Sequence, residues 1–297
     1  MKKCEDVAVV IVNYNGFEDS VECIKSVIET GVDSKIVFID NASKINEADE
    51  IKQLFKDVEC IRVNNNYGYS AGCNIGIRYA LLHNYKYVLI LNNDTIIDKE
   101  MIYILRDKAD KKVISVPKML YYSEPNVIWY GGGKIDKKTG NAKNLKMNFK
   151  DDSETEVQQC TFATGCCLML SMATINAIGM LDESFFMYCE DEEYSLRALK
   201  NNIEIIYVPT AKLWHKVSKS TGGSESAFCF YYLTRNRLKC INEYKDYFRT
   251  GATLYTILSR YIRAIQYKLK GNKNCNAFLK GIHDYKQRKY GRRENIV

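Results

Sequence analysis

The sequence has 297 residues, of which 46% are hydrophobic and 27% are charged, the balance of an ordinary globular protein. Its three prolines and 17 glycines leave no room for a Pro- or Gly-rich linker. The net charge of +7 is uneven, because residues 241–297 hold 13 Lys/Arg against 4 Asp/Glu. Composition therefore excludes general disorder and assigns the basic character to the C-terminal tail.

Targeting signals and disulfides are not indicated. No apolar run approaches the roughly 18 residues that a membrane span needs, and the apolar stretch 7–12 is too short for a signal peptide. The eleven cysteines are odd in number and show no Cys-x-x-Cys spacing, so we expect reduced, mostly buried thiols. These features predict a cytoplasmic protein.

The first third alternates predicted strands with predicted helices. Four apolar, β-branched runs at 7–12, 35–39, 59–63 and 87–91 predict buried strands, and amphipathic patterns around 21–28, 51–55 and 71–82 predict the helices between them. This order predicts an α/β fold, with a doubly wound, Rossmann-like and mostly parallel sheet flanked by helices.

The pattern changes after residue 94. We predict helices at 101–109 and 190–199, strands at 113–116, 162–170 and 203–208 (the last ended by Pro209), an irregular hairpin at 127–135, an exposed loop at 141–158 and a flexible segment at 218–224. The predicted layout is a catalytic domain at 1–240, divided into a nucleotide-binding half (about 1–95) and an acceptor half (about 96–240), followed by a basic helical tail at 241–297.

Polar residues follow each of the four predicted parallel strands, at 13–16, 40–43, 64–66 and 92–94. Asn and Asp favour turns, which explains any one of these groups but explains all four poorly. Ligands of open α/β sheets bind beyond the carboxyl ends of the strands. The sequence therefore predicts a ligand site there, and the missing G-x-G-x-x-G and P-loop motifs disfavour dinucleotide enzymes and P-loop NTPases.

Asp94 is the candidate metal ligand, because Mg²⁺ or Mn²⁺ takes one or two protein carboxylates together with substrate phosphate oxygens. The alternative is that Asp94 caps the helix that follows. One of the acids at 190–193 is a candidate general base, although acids also suit a plain helix start. His215 is a second candidate ligand of metal or phosphate, or a structural histidine.

The ordered set of motifs resembles the inverting family 2 glycosyltransferases of the GT-A fold, and bacterial cell-envelope rhamnosyltransferases in particular. The matching segments lie within 7–240: 9–16 (VVIVNYNG), 38–43 (FIDNAS), 66–76 (NYGYSAGCNIG), 91–95 (LNNDT), 163–165 (ATG), 181–186 (LDESFF), Glu190-Asp191 with Arg197, Trp214-His215, and 231–236 (YYLTRN).

The resemblance implies an inverting transfer of a sugar from a nucleotide-diphosphate donor to a hydroxyl acceptor in cell-surface glycan biosynthesis. It implies that Asp191 is the general base with Glu190 beside it, and that Asp94 holds a divalent cation (Mn²⁺ or Mg²⁺) with His215 near it. The residues it implies for donor binding are Asn13, Tyr14, Asp40, Asn74, Asn92, Asn93 and Gly165. It assigns no role to Arg235 and Asn236.

One position departs from the metal motif Asp-x-Asp that is common in the family. Here Asn92 stands at the first position, and an amide cannot supply a second negative charge. Related members carry Asn there as well. We therefore expect activity to be retained and cation binding to depend on bound donor.

The tail carries a basic amphipathic helix with Leu254, Leu258, Tyr261, Ile262 and Ile265 on one face. Basic residues lie nearby: Arg260, Arg263, Lys268 and Lys270. The pattern is typical of contact with a membrane surface, which suits a lipid-linked glycan acceptor and a peripheral location at the inner face of the cell membrane. The alternative is a helix docked on the catalytic domain with a solvated basic end.

Two other functions are compatible with parts of the sequence. A sugar-phosphate nucleotidyltransferase also uses strand-end acids and a cation, but it should carry a Gly-rich basic loop after the first strand, unlike the segment 13–16. A nucleic-acid-binding protein is supported by charge alone, since the tail shows no docking motif. We expect no nucleic-acid partner, and the sequence leaves the oligomeric state open.

Overall fold

The structure is a computed structural model that describes residues 4–109, 112–217, 225–294 and 296. The predicted flexible segment 218–224 lies outside these described residues.

The N-terminal third alternates strands and helices as the sequence predicts. The elements are β1 (Val7–Asn13), α1 (Phe17–Glu29), β2 (Lys35–Asp40), α2 (Glu47–Leu54), β3 (Glu59–Arg62), α3 (Tyr69–Leu82) and β4 (Tyr87–Asn92). Strand β1 is buried along its whole length and lies between β2 and β4, parallel to both, while β3 extends the parallel set beyond β2. This arrangement brings the carboxyl ends of all four strands to one edge.

The second half completes the sheet. Its elements are β5 (Thr95–Ile97), α4 (Met101–Lys108), β6 (Val113–Tyr121), β7 (Ile128–Tyr130), β8 (Gly133–Ile135), β9 (Ala142–Asn144), β10 (Gln158–Cys160), β11 (Cys167–Ser171), α5 (Met172–Ile178), α6 (Glu190–Lys200) and β12 (Glu204–His215). The sheet order is β10-β12-β6-β11-β4-β1-β2-β3. Strand β11 runs antiparallel to both β4 and β6, whereas β6 and β12 pair in parallel. The predicted α/β fold is confirmed.

Three local predictions in this half are wrong. The segment 127–135 does not form a hairpin, because β7 pairs with β6 while β8 pairs with β9. Strand β9 lies inside the segment 141–158 that was expected to be a loop. Pro209 does not end a strand, since β12 continues to His215 across a register shift between Val208 and Lys212. Proline is tolerated at such a bulge because no ladder hydrogen bond is lost there.

The C-terminal extension is helical. It contains α7 (Ala227–Glu243), α8 (Ala252–Leu269), a short 3₁₀ helix (Lys273–Cys275) and α9 (Asn276–Lys286). Helix α7 packs against both α8 and α9. A second hydrophobic cluster forms there, separate from the main core, and it includes Phe230 stacked on Phe278 with ring centroids 4.2 Å apart. The extension is therefore packed onto the domain through α7.

Helix α8 turns its apolar face away from the protein. Its buried positions are Ala252, Thr256, Arg260 and Ala264, a narrow face of mostly small residues. The predicted apolar face is exposed, with Leu254 61% and Ile265 60% accessible. Arg260 was predicted to lie with the basic residues near that face; this was wrong, because it points inward.

All eleven cysteines are free thiols, and ten of them are buried, which agrees with the predicted reduced state. Among the described residues, none of the helices combines the length and apolar character required to cross a lipid bilayer.

Candidate active site

The end of β1 is tied to the end of β4 by side-chain amides. Asn13 Oδ1 accepts hydrogen bonds from Nδ2 of Asn93 (3.0 Å) and from Oγ of Ser20 (3.1 Å). Asn13 Nδ2 donates to Oε2 of Glu47 over 2.6 Å. Asn13 is buried, so its polar atoms serve this network. The two predicted donor-binding residues Asn13 and Asn93 are thus brought together, and they hold the edge of the site in shape.

Asp40 is fully buried at the end of β2. Its Oδ2 accepts a hydrogen bond from Nη1 of Arg62 (2.8 Å), and its Oδ1 accepts one from the backbone N–H of Ser43 (2.9 Å). Tyr14, the other residue predicted near the base, is 48% exposed. Tyr14 follows Asn13, which is in register with Asp40, and therefore offers an accessible aromatic ring at this edge.

Asn74 lies on the inward face of α3 and is buried. Its amide donates to the carbonyl of Leu181 (2.8 Å) and to Oε1 of Glu183 (2.9 Å), and its Oδ1 accepts from the N–H of Leu181. Asn74 consequently fastens α3 to the segment that precedes α6.

Tyr69 joins the two halves of the site, a role that sequence reasoning missed. Its hydroxyl lies 2.9 Å from Oδ1 of Asn92 and 2.6 Å from the carbonyl oxygen of Gly165. The N–H of Asn92 also donates to the carbonyl of Cys166 (2.8 Å). The 92–94 segment and Gly165 are therefore held side by side. The only sequence signal for Tyr69 was its place inside the 66–76 motif.

Asp191 lies directly beyond Gly165. Its Oδ2 accepts a hydrogen bond from the N–H of Gly165 (2.9 Å), and its Oδ1 accepts one from the N–H of Glu192 (2.8 Å). Burial raises the pKa of Asp191, while these two hydrogen bonds act in the opposite direction. The residue is partly exposed, so a carboxylate with raised basicity remains accessible.

Glu190 is buried beside Asp191, and its Oε2 has no hydrogen-bond partner among the described residues. Burial, together with repulsion from Asp191, raises the pKa of Glu190 to about 8. Glu190 therefore holds its proton more strongly than an ordinary glutamate does.

A strained turn presents these two acids. Tyr188 and Cys189 both have left-handed backbone conformations, with φ of 66° and 65°, immediately before α6 begins at Glu190. The side-chain amide of Asn236 donates to the carbonyl oxygens of Met187 and Tyr188, each over 2.8 Å. Such conformations cost on the order of 1–3 kcal/mol each and persist when the surroundings hold them. Asn236, which had no predicted role, supplies that support from α7.

Asp94 and His215 come together because β5 pairs with β12, which places Thr95 opposite His215. Nε2 of His215 lies 3.1 Å from Oδ1 of Asp94, and the ring of Trp129 packs edge-on against the imidazole. Burial alone would lower the pKa of His215, but Cys166 and Asp94 outweigh it and raise the pKa to about 10. Asp94 and Cys166 therefore favour positive charge at this position.

The pair fits a divalent cation. Among the described residues there is no group of three His, Cys, Asp or Glu side chains that could enclose a metal, so protein ligands alone would not complete a site. A carboxylate and a neutral imidazole are ordinary ligands of Mn²⁺, and Oδ1 of Asp94 and Nε2 of His215 converge on one point, 3.1 Å apart. Asp94 and His215 suit a cation whose remaining ligands are phosphate oxygens and water.

Comparison with protein families decides the classification. Residues 8–179 match the model described as "Glycosyl transferase family 2". The chain belongs to glycosyltransferase family 2. It is therefore an enzyme that uses a nucleotide sugar in glycan biosynthesis, and the inverting outcome is the one that fits this family. The family resemblance predicted from the ordered motifs is confirmed.

Two curated relatives agree with this assignment. The chain is 30% identical over 277 residues to the low-salt glycan biosynthesis hexosyltransferase Agl10 of Haloferax volcanii, covering 89% of this chain and 80% of the relative. It is 25% identical over 182 residues to the dTDP-rhamnosyl transferase RfbF of Shigella flexneri, covering 61% of this chain and 60% of the relative. The predicted similarity to rhamnosyltransferases is confirmed.

Among solved structures, the chain is similar to GalNAc-T7, whose crystal structure contains UDP, GalNAc and Mn²⁺. The TM-score is 0.62 at 20% identity, over 82% of this chain and 49% of that chain. This chain thus spans about half the length of that glycosyltransferase. The likeness confirms the predicted GT-A fold.

Proposed function

We propose that this family 2 glycosyltransferase moves a hexosyl or deoxyhexosyl group from a nucleoside diphosphate onto a hydroxyl of a glycan or lipid-linked glycan of the cell envelope, with Asp191 as the general base. The observation that carries the proposal is the path from Asn92 through the Tyr69 hydroxyl and Gly165 to Asp191. It holds the strand-end motif and the basic carboxylate in one rigid frame.

In the proposed reaction the acceptor hydroxyl attacks the anomeric carbon from the face opposite the diphosphate. A bond forms between the acceptor oxygen and that carbon, the bond to the leaving diphosphate oxygen breaks, and the proton moves to Oδ2 or Oδ1 of Asp191. The raised pKa of Asp191 suits this role, because a stronger base takes the proton more readily. The raised pKa of Glu190 favours its neutral form, which would keep a second negative charge away from the base.

Asp94 and His215 would hold the divalent cation. When bound, the cation offsets the negative charge that builds on the leaving diphosphate. Tyr14 would contact the nucleotide base beside Asp40, and Gly165 would line the sugar pocket. Asn13, Asn74, Asn92 and Asn93 would act on the donor by shaping its pocket, since much of their hydrogen bonding is to the protein.

The test of this function has two steps. A panel of nucleotide sugars, each with Mn²⁺, is first screened for a rise in the unfolding temperature, which follows from binding to the folded state. The products formed with the best donor are then analysed. Release of the free nucleoside diphosphate supports glycosyl transfer. Release of pyrophosphate in a parallel reaction, supplied with a nucleoside triphosphate and a sugar phosphate, would instead indicate nucleotidyl transfer.

The proposal includes a peripheral location on the cytoplasmic face of the cell membrane, through the exposed apolar face of α8. Basic side chains near it are exposed at Arg263, Lys268 and Lys270, which suits an anionic bilayer. In flotation with phosphatidylglycerol vesicles, Leu258→Gln with Ile262→Gln should reduce the bound fraction. The matched control is Leu82→Gln, which removes an exposed leucine on α3; an equal effect of both changes would contradict the assignment.

A further inference from the structure

Arg260 is an anomaly on the buried face of α8. The other buried side chains of this helix are small, and Thr256 fastens the helix to the turn between β8 and β9 through a 3.3 Å hydrogen bond to the carbonyl of Thr139. Arg260 is only 6% exposed. A long charged side chain therefore occupies a face whose packing requires only small residues.

No described residue satisfies its guanidinium. Among the described residues Arg260 has no hydrogen-bond or ion-pair partner, and its Nε is buried. Burial and the positive charges of Arg237 and Arg263 lower the pKa of Arg260 to about 10. Arg235, also deeply buried, differs because it donates to the carbonyl of Gly291 and lies over the ring of Tyr232, although its Nη2 has no partner among the described residues. Buried charges are normally paired, so we expect an anionic ligand to bind at Arg260.

A second guanidinium lies on the neighbouring helix. Arg237 of α7 is largely buried, and its nearest acid is Glu192, with Nη2 of Arg237 and Oε2 of Glu192 3.8 Å apart. Its Nε also lacks a partner among the described residues. Glu192 is in the first turn of α6, next to Asp191. Arg237 thus borders the helix that carries the base, and Arg260 lies on α8, which packs on α7 and brings it within range of the charge of Arg237.

We propose that Arg260 and Arg237 form a subsite for the phosphate of the acceptor, which makes the acceptor a glycan joined to a lipid through a phosphate or diphosphate. This rests on the proposed function, because it places the phosphate close to the base that activates the acceptor hydroxyl. Guanidinium groups bind phosphate oxygens through paired hydrogen bonds. The opposite face of α8 is apolar and exposed, so the same helix offers a surface to the lipid chain.

Binding is tested with farnesyl diphosphate in metal-free buffer, where diphosphate binding at Asp94 and His215 is disfavoured. The wild-type protein should bind it, and Arg260→Gln and Arg237→Gln should each weaken binding by about tenfold or more, the worth of one charge-assisted contact. Arg249→Gln, at an exposed arginine before the start of α8, is the matched control and should bind like wild type. Equal binding by Arg260→Gln would overturn the subsite.

Further probes identify the source of the phosphate. Inorganic pyrophosphate should bind more weakly than farnesyl diphosphate because it lacks the apolar chain; equal affinity would overturn the lipid-linked acceptor. A second outcome would also overturn the proposed subsite. If Arg260→Gln no longer binds phosphatidylglycerol vesicles but still binds farnesyl diphosphate, the arginine binds phospholipid headgroups.

Stability separates a ligand-binding arginine from a structural one. Removing a buried charge that has no partner should leave the unfolding temperature of Arg260→Met, measured without ligand, equal to or above that of wild type. A fall of several degrees would show that Arg260 stabilises the fold and would contradict the proposal. Nucleotide-sugar binding with Mn²⁺ is measured in the same variants and should not change. If no protein of the set binds a nucleotide sugar while farnesyl diphosphate binding is intact, the proposed use of a nucleotide-sugar donor would be refuted.

Discussion

The backbone N–H of Gly165 donates a 2.9 Å hydrogen bond to Oδ2 of Asp191. The carbonyl of the same glycine accepts the Tyr69 hydroxyl, which also reaches Asn92. Gly165 therefore fixes the distance between the proposed base and the strand-end motif. A Cβ added at Gly165 would lie 3.4 Å from Cβ of Asp191, so a side chain there would extend against the proposed base.

The buried carboxyl group of Glu190 predicts how stability varies with pH. The pKa of Glu190 is raised from 4.5 in the unfolded chain to about 8 in the folded protein. The folded state therefore binds the proton more strongly, and its contribution to stability, fully present below pH 4.5, is lost as the pH rises through 8. Glu190→Gln removes this dependence.

Thermal unfolding of wild type and Glu190→Gln at pH 5 and pH 8.5 checks this prediction. Wild type should lose stability between pH 5 and pH 8.5 through ionisation of Glu190, whereas Glu190→Gln should not. The stability difference between the two proteins should therefore shift in favour of the variant at pH 8.5, by an amount on the order of a few kcal/mol. The matched control is Glu183→Gln, whose carboxylate is partly exposed near the same site. A constant difference between wild type and Glu190→Gln would show that Glu190 is not a buried, proton-binding group.

Asn236 is expected to act as a positioning residue through the turn at 187–189. Asn236→Ala removes both hydrogen bonds to the carbonyls of Met187 and Tyr188, so the turn should relax and misplace Asp191. We expect kcat to fall by about tenfold or more, the worth of 1.4 kcal/mol, with the KM for the donor nearly unchanged. The pH at which activity falls on acidification should also decrease, because a looser turn admits water to Asp191.

The matched control for this change is Asn201→Ala, which removes an exposed side-chain hydrogen bond at the opposite end of α6. It should leave kcat and the pH profile as they are in wild type. A loss of thermal stability in Asn236→Ala without a change in kcat or in the pH profile would restrict Asn236 to a role in folding.

Cation binding should depend on bound donor, because Asn92 replaces one of the two carboxylates of the common metal motif. Titration calorimetry should show weak binding of Mn²⁺ to the protein alone and much tighter binding when the nucleotide is present, since phosphate oxygens complete the ligand set. EDTA should abolish transfer, and Asp94→Asn should lose both activity and nucleotide-dependent Mn²⁺ binding. Full activity in EDTA would exclude the metal site.

Sequence reasoning succeeded where simple topology rules apply. Parallel strands bring their carboxyl ends to one edge, so the contact between Asn13 and Asn93, 80 residues apart, follows from the strand order. The contact between Asp94 and His215 could be predicted only from the family motif, because it depends on β12 continuing past Pro209.

The failures have physical causes that a single sequence does not reveal. Proline normally ends a strand because it lacks the N–H that pairs with the neighbouring strand. At the bulge after Val208 no such hydrogen bond is required, so β12 continues. Helical periodicity shows that α8 has an apolar face, yet it does not say which face meets the domain, and the small residues around Arg260 made that contact. The hydrogen bonds of Asn236 span 48 and 49 residues and belong to no local pattern.

The most direct test of the account is Asp191→Asn, assayed for sugar transfer with the donor found by screening and, in parallel, for donor binding. The account predicts that transfer falls below a tenth of the wild-type rate, a barrier change of more than about 1.4 kcal/mol, while donor affinity and unfolding temperature stay close to wild type. Glu190→Gln on the same turn should retain more activity. Transfer by Asp191→Asn above a tenth of the wild-type rate would contradict the assignment of Asp191 as the base.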